Sequence, residues 1–505
     1  MNLNLRGFSV LDQLFSDPNG RRSALANVVR AANTSAKPRD LYQLLRAYYD
    51  GLNLYDNLAA NLHSAGVWQE GLKALRNPAA RVVDFYSNVV WPGVLPDALP
   101  IETENERIIP AIHQVWQWSG WDSQKTVAIR WLAMYGDLFI KVAQREDRSR
   151  VFFQLINPEY VSDFDVDERG FLTYIRIDVP QVKRVNDSAK NVTVTEVWSK
   201  DEQNYRTWTH EQGQDSDLKK LGTPTDEKPL SAFGIDFIPI TFVQFKDVGE
   251  QRGVGAFTQA LDKIDEACRQ STRLYQMLFR SNKDTWVLGA NGNDPSGRPL
   301  PPPRLNDPGD TTFTVEDQTI ISLPGNATLT SLVPNINYAA ALSILQDHMS
   351  ELADDLPELT YWRLRDLGDL SGIAVRRMLS GAITRALEAR GNAESGLIRL
   401  NQMALTMGAE SPLFRNLGSF ENGDFQHSFK ARPVIATEPL EEAQEDLTRA
   451  QAGVLWQQIG MSPREILKRD RGMTDDEIDV MKEENAESVE SLGESVIRRF
   501  DSGAA

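Results

Sequence analysis

The spacing of apolar residues changes period several times along the chain, and each change marks a change of element type. Over residues 1–135 the helical period dominates. In DLYQLLRAYYDGLNLYD, Leu41, Leu44, Leu45 and Tyr48 fall on one helix face, and Gly51 ends the run. NPAARVVDFYSNVVWPGVLP predicts an apolar helix from Asn77 that stops at Trp91–Pro92–Gly93. An aromatic helix pair follows, with Trp116, Trp118, Trp121, Trp131 and Tyr135. Aromatics at that density read as core rather than as a stacking platform for bases.

From Gly136 the period becomes two. GDLFIKVAQ, SRVFFQLINPEYVSDFDVDERGFLTYIRIDV and NVTVTEVWSKDEQNYRTWTHE alternate between turn signals, predicting half-buried antiparallel strands up to FIPITFVQF. Asp163, Asp165 and Asp167 spell DxDxD, but Glu168 stands where a calcium loop of the EF-hand type needs glycine. Tyr174 stands where it needs glutamate, so the run is expected to be a polar turn.

The helical period returns beyond Gly249, Gly253 and Gly255, the GVG reading as a turn into a helix. Phe257, Leu261, Ile264, Cys268, Ser271, Tyr275 and Leu278 make a narrow 4-3 seam of the kind one helix offers another, with Cys268 as a small core residue. Residues 289–325 are rich in proline and glycine and leave room only for short strands at TTFTVED and TIISL. A second seam runs through Tyr338, Leu342, Leu345, Met349 and Leu352 and stops before Pro357. His348, one position off that seam, reads as an interface or solvent histidine. LPELTYWRLRDLGDLSG is expected to be an ordered loop. After it comes one long helix, 371–407, carrying Arg376, Arg377, Arg385, Arg390 and Arg399.

Composition narrows the function more by exclusion than by pointing. The 505 residues are 41% hydrophobic and 25% charged, which permits a large buried core and excludes wholesale disorder. No run approaches the roughly 18 apolar residues of a membrane span, and the first residues lack a basic and apolar leader pattern. A single cysteine allows no intrachain disulfide and fits a reducing compartment, so a soluble intracellular protein is expected. The net charge of −17 argues against tight binding of nucleic acid. Residues 438–505 hold 17 acidic against 8 basic side chains, more than half of that imbalance, and read as a solvated helical face. There is no GxxxxGK[ST], GxSxG, HExxH or CxxC, and the five histidines are scattered. No catalytic residue, metal ligand or cofactor site is expected.

The order of these elements carries a resemblance. YYDGLN followed by a helix ending in NVVWPGVLP, GDLFIKV followed by LINPEYVSDFDVDERG, and FVQF…GVGAFTQALDKIDEACRQSTRL with DTWVLGAN and the helix–loop–helix to Met407 together resemble the portal (head–tail connector) proteins of tailed double-stranded DNA bacteriophages, siphovirus type. The likeness covers most of residues 40–410. It implies an α+β, mainly helical ring subunit. Residues 1–135 would be the helical part of the wing, 136–250 its β-rich part, 251–288 the first stem helix and 289–325 a small α/β clip. Residues 326–356 would be the second stem helix, 357–371 the tunnel loop, 372–437 a long helix returning to the wing, and 438–505 an acidic helical crown.

The resemblance further implies a ring, commonly of twelve subunits, at one capsid vertex of the virion, assembled in the host cytoplasm. Double-stranded DNA would pass through it without sequence readout during packaging and ejection. Leu261, Ile264, Leu342 and Leu345 would pack between stem helices. Tyr361, Trp362, Arg363 and Arg365 would face the DNA channel. Arg298, Pro301, Pro302, Pro303 and Arg304 would dock the terminase large subunit and later the head-completion adaptor, with the major capsid and scaffolding proteins as further partners. The expected protein is structural and needs no cofactor, metal or membrane; the alternative is an intracellular hydrolase whose site the sequence does not reveal.

Overall fold

The structure is a computed structural model. It describes residues 38–51, 76–185, 188–211, 218–281, 285–289, 295–298, 312–315, 318–323, 338–364, 372–410, 414–434, 447, 451–453, 455–471 and 478–481. The fold contains both helices and sheets, with helix outweighing strand, 50% against 20%; it belongs to the general α+β class. No helix among the described residues is long and apolar enough to cross a membrane. The chain divides into two compact units, residues 1–369 with 375–434, and residues 370–374 with 435–505.

The larger unit begins with helix α1 (Pro38–Asp50), whose buried face carries Leu41, Tyr42, Leu44, Leu45 and Tyr48. Gly51, at φ +63°, stops it in the left-handed conformation that glycine adopts without strain. Helix α2 (Ala79–Val89) buries Val82, Val83, Phe85, Tyr86 and Val89. A two-residue strand β1 (Ile101–Glu102) leads to α3 (Ile108–Ser119) and α4 (Trp121–Tyr135), parted by the left-handed Gly120. Trp116, Trp121 and Tyr135 of this pair are core, whereas Trp118 and Trp131 are half-buried. Trp121 is fully buried and meets Phe153 edge-on at 5.4 Å, while the Trp116 indole donates to Asn401 at 3.1 Å.

Strands β2 (Asp137–Gln144), β3 (Val151–Ile156), β4 (Val161–Val166), β5 (Leu172–Val185), β6 (Ser188–Ser199), β7 (Asn204–Glu211), β8 (Asp226–Pro229) and β9 (Ile240–Gln244) form two antiparallel sheets. One is ordered β3-β2-β9; the other is the meander β4-β5-β6-β7-β8. Lys141 of the first sheet reaches the second. It pairs with Glu196 and lies 5.0 Å from the Trp198 ring, a half-buried charge held by both a carboxylate and a π face. The aspartate run differs from expectation. Asp163 and Asp165 are on strand β4, and only Asp167 is in the turn, where its carboxylate accepts from the backbone N–H of Arg169 and Phe171 at 2.9 and 2.8 Å.

After β9 the chain returns to the start of β2 and runs alongside it. A Cβ on Gly136 would lie 2.6 Å from the Gly255 nitrogen, and one on Gly255 would lie 2.8 Å from the Met134 carbonyl oxygen. The GVG glycines are therefore required by backbone contact, rather than only by a turn into the next helix. Asp137 closes the contact. One carboxylate oxygen accepts from the Gly253 N–H at 2.7 Å, and the other accepts from the Tyr42 hydroxyl. Arg252 donates to Tyr42 at 2.5 Å and covers the Phe164 ring at 4.9 Å. Asp137 is fully buried and Arg252 nearly so.

From this root rises α5 (Leu261–Ser281), followed by strands β10 (Thr285–Gly289), β11 (Thr312–Val315) and β12 (Gln318–Leu323). They form a three-stranded sheet in which β12 is central, parallel to β10 and antiparallel to β11. Helix α6 (Tyr338–Asp355) comes back along α5. The expected loop beyond it holds a short helix, α7 (Leu359–Leu364). Pro357 fixes φ just before its first turn, and the Thr360 and Tyr361 N–H groups bond the Pro357 and Glu358 carbonyls.

The expected single long helix is α8 (Gly372–Met378) and α9 (Ser380–Met407). They are separated by a turn at Leu379, whose ψ of 5° departs from the helical value. Strand β13 (Ser428–Phe429) pairs with β1. Arg390 of α9 donates to the Val89 and Val90 carbonyls, both at 2.9 Å, satisfying the buried C-terminal end of α2.

In the smaller unit, α10 (Pro463–Arg471) starts with a reciprocal cap: Ser462 Oγ accepts from the Glu465 N–H, and the Glu465 carboxylate accepts from the Ser462 N–H, each at 3.2 Å.

Burial raises the Asp137 carboxyl from its ordinary 3.8 to about 6, against the opposing pull of Arg252 and the Tyr42 and Gly253 bonds. A carboxyl raised on folding binds its proton more tightly in the folded state. Its stabilising contribution is thus full below pH 4 and is lost as pH rises through 6. Asp137→Asn should remove this dependence, so that the wild-type urea midpoint falls relative to that of the variant as pH rises from 4 to 6, with the two curves parallel outside that window. Asp137→Ala should cost about 3–5 kcal/mol, because it leaves Arg252 buried without its carboxylate. Parallel midpoint curves for wild type and Asp137→Asn within that window would contradict the assignment.

Candidate functional site

The hairpin α5–α6, the small sheet between its arms and the segment that follows α6 hold every residue to which the sequence assigned a function. The two helices are antiparallel. Lys263 pairs with Glu351 at 2.8 Å and with Asp355 at 2.6 Å, while Gln270, further along α5, meets His348 at 3.1 Å. His348 is therefore shared between the two arms.

Burial falls along the hairpin away from its root. Leu261, Ile264 and Cys268 on α5 and Leu352 on α6 are all at most 1% exposed, and Ser271 is buried. Leu345 is still buried at 7%, whereas Leu342 is 47% exposed, Ile344 52% and Tyr275 48%. The two seams thus satisfy each other near the root, and among the described side chains of the hairpin a single chain leaves Tyr275 and Leu342 open on the seams and Ile344 open beside them. Antiparallel packing within the chain already covers the root half of both seams. Ile344 was missed since it lies off the 4-3 spacing; the run ALSIL, wider than a seam, was its only signal.

Of the four residues assigned to the channel, Tyr361 and Trp362 are on α7 and pack inward. Tyr361 meets Phe85 edge-on at 5.4 Å, and the Trp362 indole donates to the Arg81 carbonyl at 3.0 Å. Arg363 is exposed, and Arg365 lies outside the described residues. The aromatic pair is accordingly placed in the contact between α7 and α2, since two large rings lose more water against Phe85 than on a loop. Of the docking residues, Arg298 is exposed. Pro301, Pro302, Pro303 and Arg304 lie outside the described residues. The structure brings the root-side seam residues together and places Tyr361 and Trp362 beside each other.

Just before α7 is a cluster that no spacing suggested. The Glu358 side chain is fully buried; its carboxylate accepts from the Tyr86 hydroxyl and pairs with Arg385 at 3.1 Å. Arg385 also donates to the Asp355 carbonyl at 3.2 Å and the Ala256 carbonyl at 2.8 Å. Desolvation moves the Glu358 carboxyl upward, partly offset by Arg385 and Tyr86. Its partners stand 272 and 27 residues away, so only the fold reveals it.

As for chemistry, among the described residues no group of three His, Cys, Asp or Glu side chains could hold a metal ion. A polar cavity of about 680 Å³ is lined by Glu102, Glu104, Asp424 and His427. The ring nitrogens of His427 meet Asn401 at 3.1 Å and the Phe425 carbonyl at 2.9 Å, so the imidazole is engaged on both sides. No family model matches the chain, and no curated protein matches it.

The burial gradient makes a direct prediction. Leu345→Asp places a charge among covered apolar groups and should lower the thermal midpoint by several degrees or prevent folding. Leu342→Asp, on the open half, should leave the midpoint of the single chain within about 2 °C of wild type. Equal losses at the two positions would show that both are covered.

Proposed function

We propose that the chain is the subunit of a portal-type ring, a conduit for double-stranded DNA at a capsid vertex, with the hairpin α5–α6 as its stem and the β10–β12–β11 sheet as its clip. The observation that carries this reading is the hairpin itself. Two antiparallel helices leave a β-rich body, close over a small mixed sheet at their far end, and bear apolar side chains that a single chain leaves uncovered. A closed cyclic ring supplies each copy with a neighbour on both sides, which is the simplest cover for Tyr275, Leu342 and Ile344.

The chain's net charge of −17 suits a conduit better than a clamp, because strong phosphate contacts would retard a moving duplex. Under this reading the arginine-bearing insert around Arg298 docks a packaging motor and then an adaptor. Arg363 is an exposed described residue available for weak phosphate contact, while Tyr361 and Trp362 face α2. The protein would act in the virion without catalysing a reaction.

Native mass spectrometry of the full chain tests the proposal. A closed assembly near twelve copies is expected, and Leu342→Asp should convert it to soluble, folded single chains. A wild-type monomer or dimer, particularly one with hydrolytic turnover, would overturn the reading.

A further inference from the structure

Helix α7 has six residues, too few to hold a helical conformation in water without outside contacts. Its place on α2 depends on what anchors it, and the apolar share of that anchorage is small. Leu359 is buried, but Tyr361 and Trp362 are only half-buried and Arg363 is exposed. The most deeply seated group is the Glu358 carboxylate immediately before the helix, with no exposure at all.

A buried carboxylate is held only while its partners remain, and here they come from two different helices. Tyr86 belongs to α2. Arg385 belongs to α9, and the same guanidinium also grips the last turn of α6 at Asp355 and the approach to α5 at Ala256. Any displacement of the hairpin root relative to α9 therefore strains the contact that keeps Glu358 in place. We propose that the Tyr86–Glu358–Arg385 cluster is a latch: while it is made, residues 359–364 lie on α2, and when it breaks they leave α2 as a unit while the rest of the body stays folded. The latch couples the root of the hairpin to the segment after it. It rests on the geometry of one chain and does not depend on the ring.

Hydrogen–deuterium exchange on the full-length protein tests this. Tyr86→Phe removes one donor to the carboxylate and should raise exchange of amides 360–364 about tenfold, with peptides of α4 unchanged. Arg385→Met leaves the charge buried and unpaired and should raise it about 100-fold or more, again without change in α4. Adding Glu358→Gln to Arg385→Met removes that charge while keeping an acceptor for Tyr86, and should bring exchange back to within about threefold of the Tyr86→Phe level. The proposal is overturned if Tyr86→Phe leaves 360–364 unchanged, if α4 loses protection in parallel with 360–364, or if the double variant stays as open as Arg385→Met.

Discussion

The contact between the Asp137 carboxylate and the backbone at Gly253 is the constraint on which the larger unit is built. It brings together residues 116 positions apart, where the chain ends its β-rich excursion and begins the helical hairpin. Glycine at 136, 253 and 255 lets the two backbones touch, and Tyr42 and Arg252 make the buried charge tolerable. Helix α1, strand β2, strand β4 and the start of α5 all meet there. A charge in that position is expensive, but an apolar residue would leave the Gly253 N–H without an acceptor and the buried Arg252 guanidinium without its counter-charge.

A second buried carboxylate repeats the logic on the other side of the hairpin root. Glu358, Tyr86 and Arg385 join α2, α6, α7 and α9 as Asp137, Tyr42 and Arg252 join the elements before α5. In both clusters a tyrosine hydroxyl and a guanidinium share one carboxylate. The hairpin is thus fixed at both feet by directional polar contacts, whereas its upper half relies on apolar side chains that one chain leaves partly uncovered.

Much of the architecture was legible because it depends on local period. Leu41, Leu44 and Leu45 marked α1, the alternation in GDLFIKVAQ marked β2, and the 4-3 spacing through Leu261, Ile264 and Cys268 marked α5. What the sequence hid depends on distant partners. Nothing near Asp137 announces Gly253, and nothing near Glu358 announces Arg385. The aromatic segment at Tyr361–Trp362 reads as a loop until Phe85 and the Arg81 carbonyl are placed beside it. Arg385 and Arg390 of α9 serve backbone carbonyls inside the fold, which their place in the run does not announce. The open half of the hairpin seams, by contrast, needed burial rather than spacing to be seen.

The proposed ring accounts for one feature a single chain leaves unfinished, the uncovered apolar side chains of the hairpin at Tyr275, Leu342 and Ile344. Negative-stain electron microscopy of the purified full-length protein tests it most directly. Rotationally symmetric rings with an axial opening wide enough for a DNA duplex are the expected result; discrete particles of single-chain size, at concentrations where the protein is folded and soluble, would contradict it.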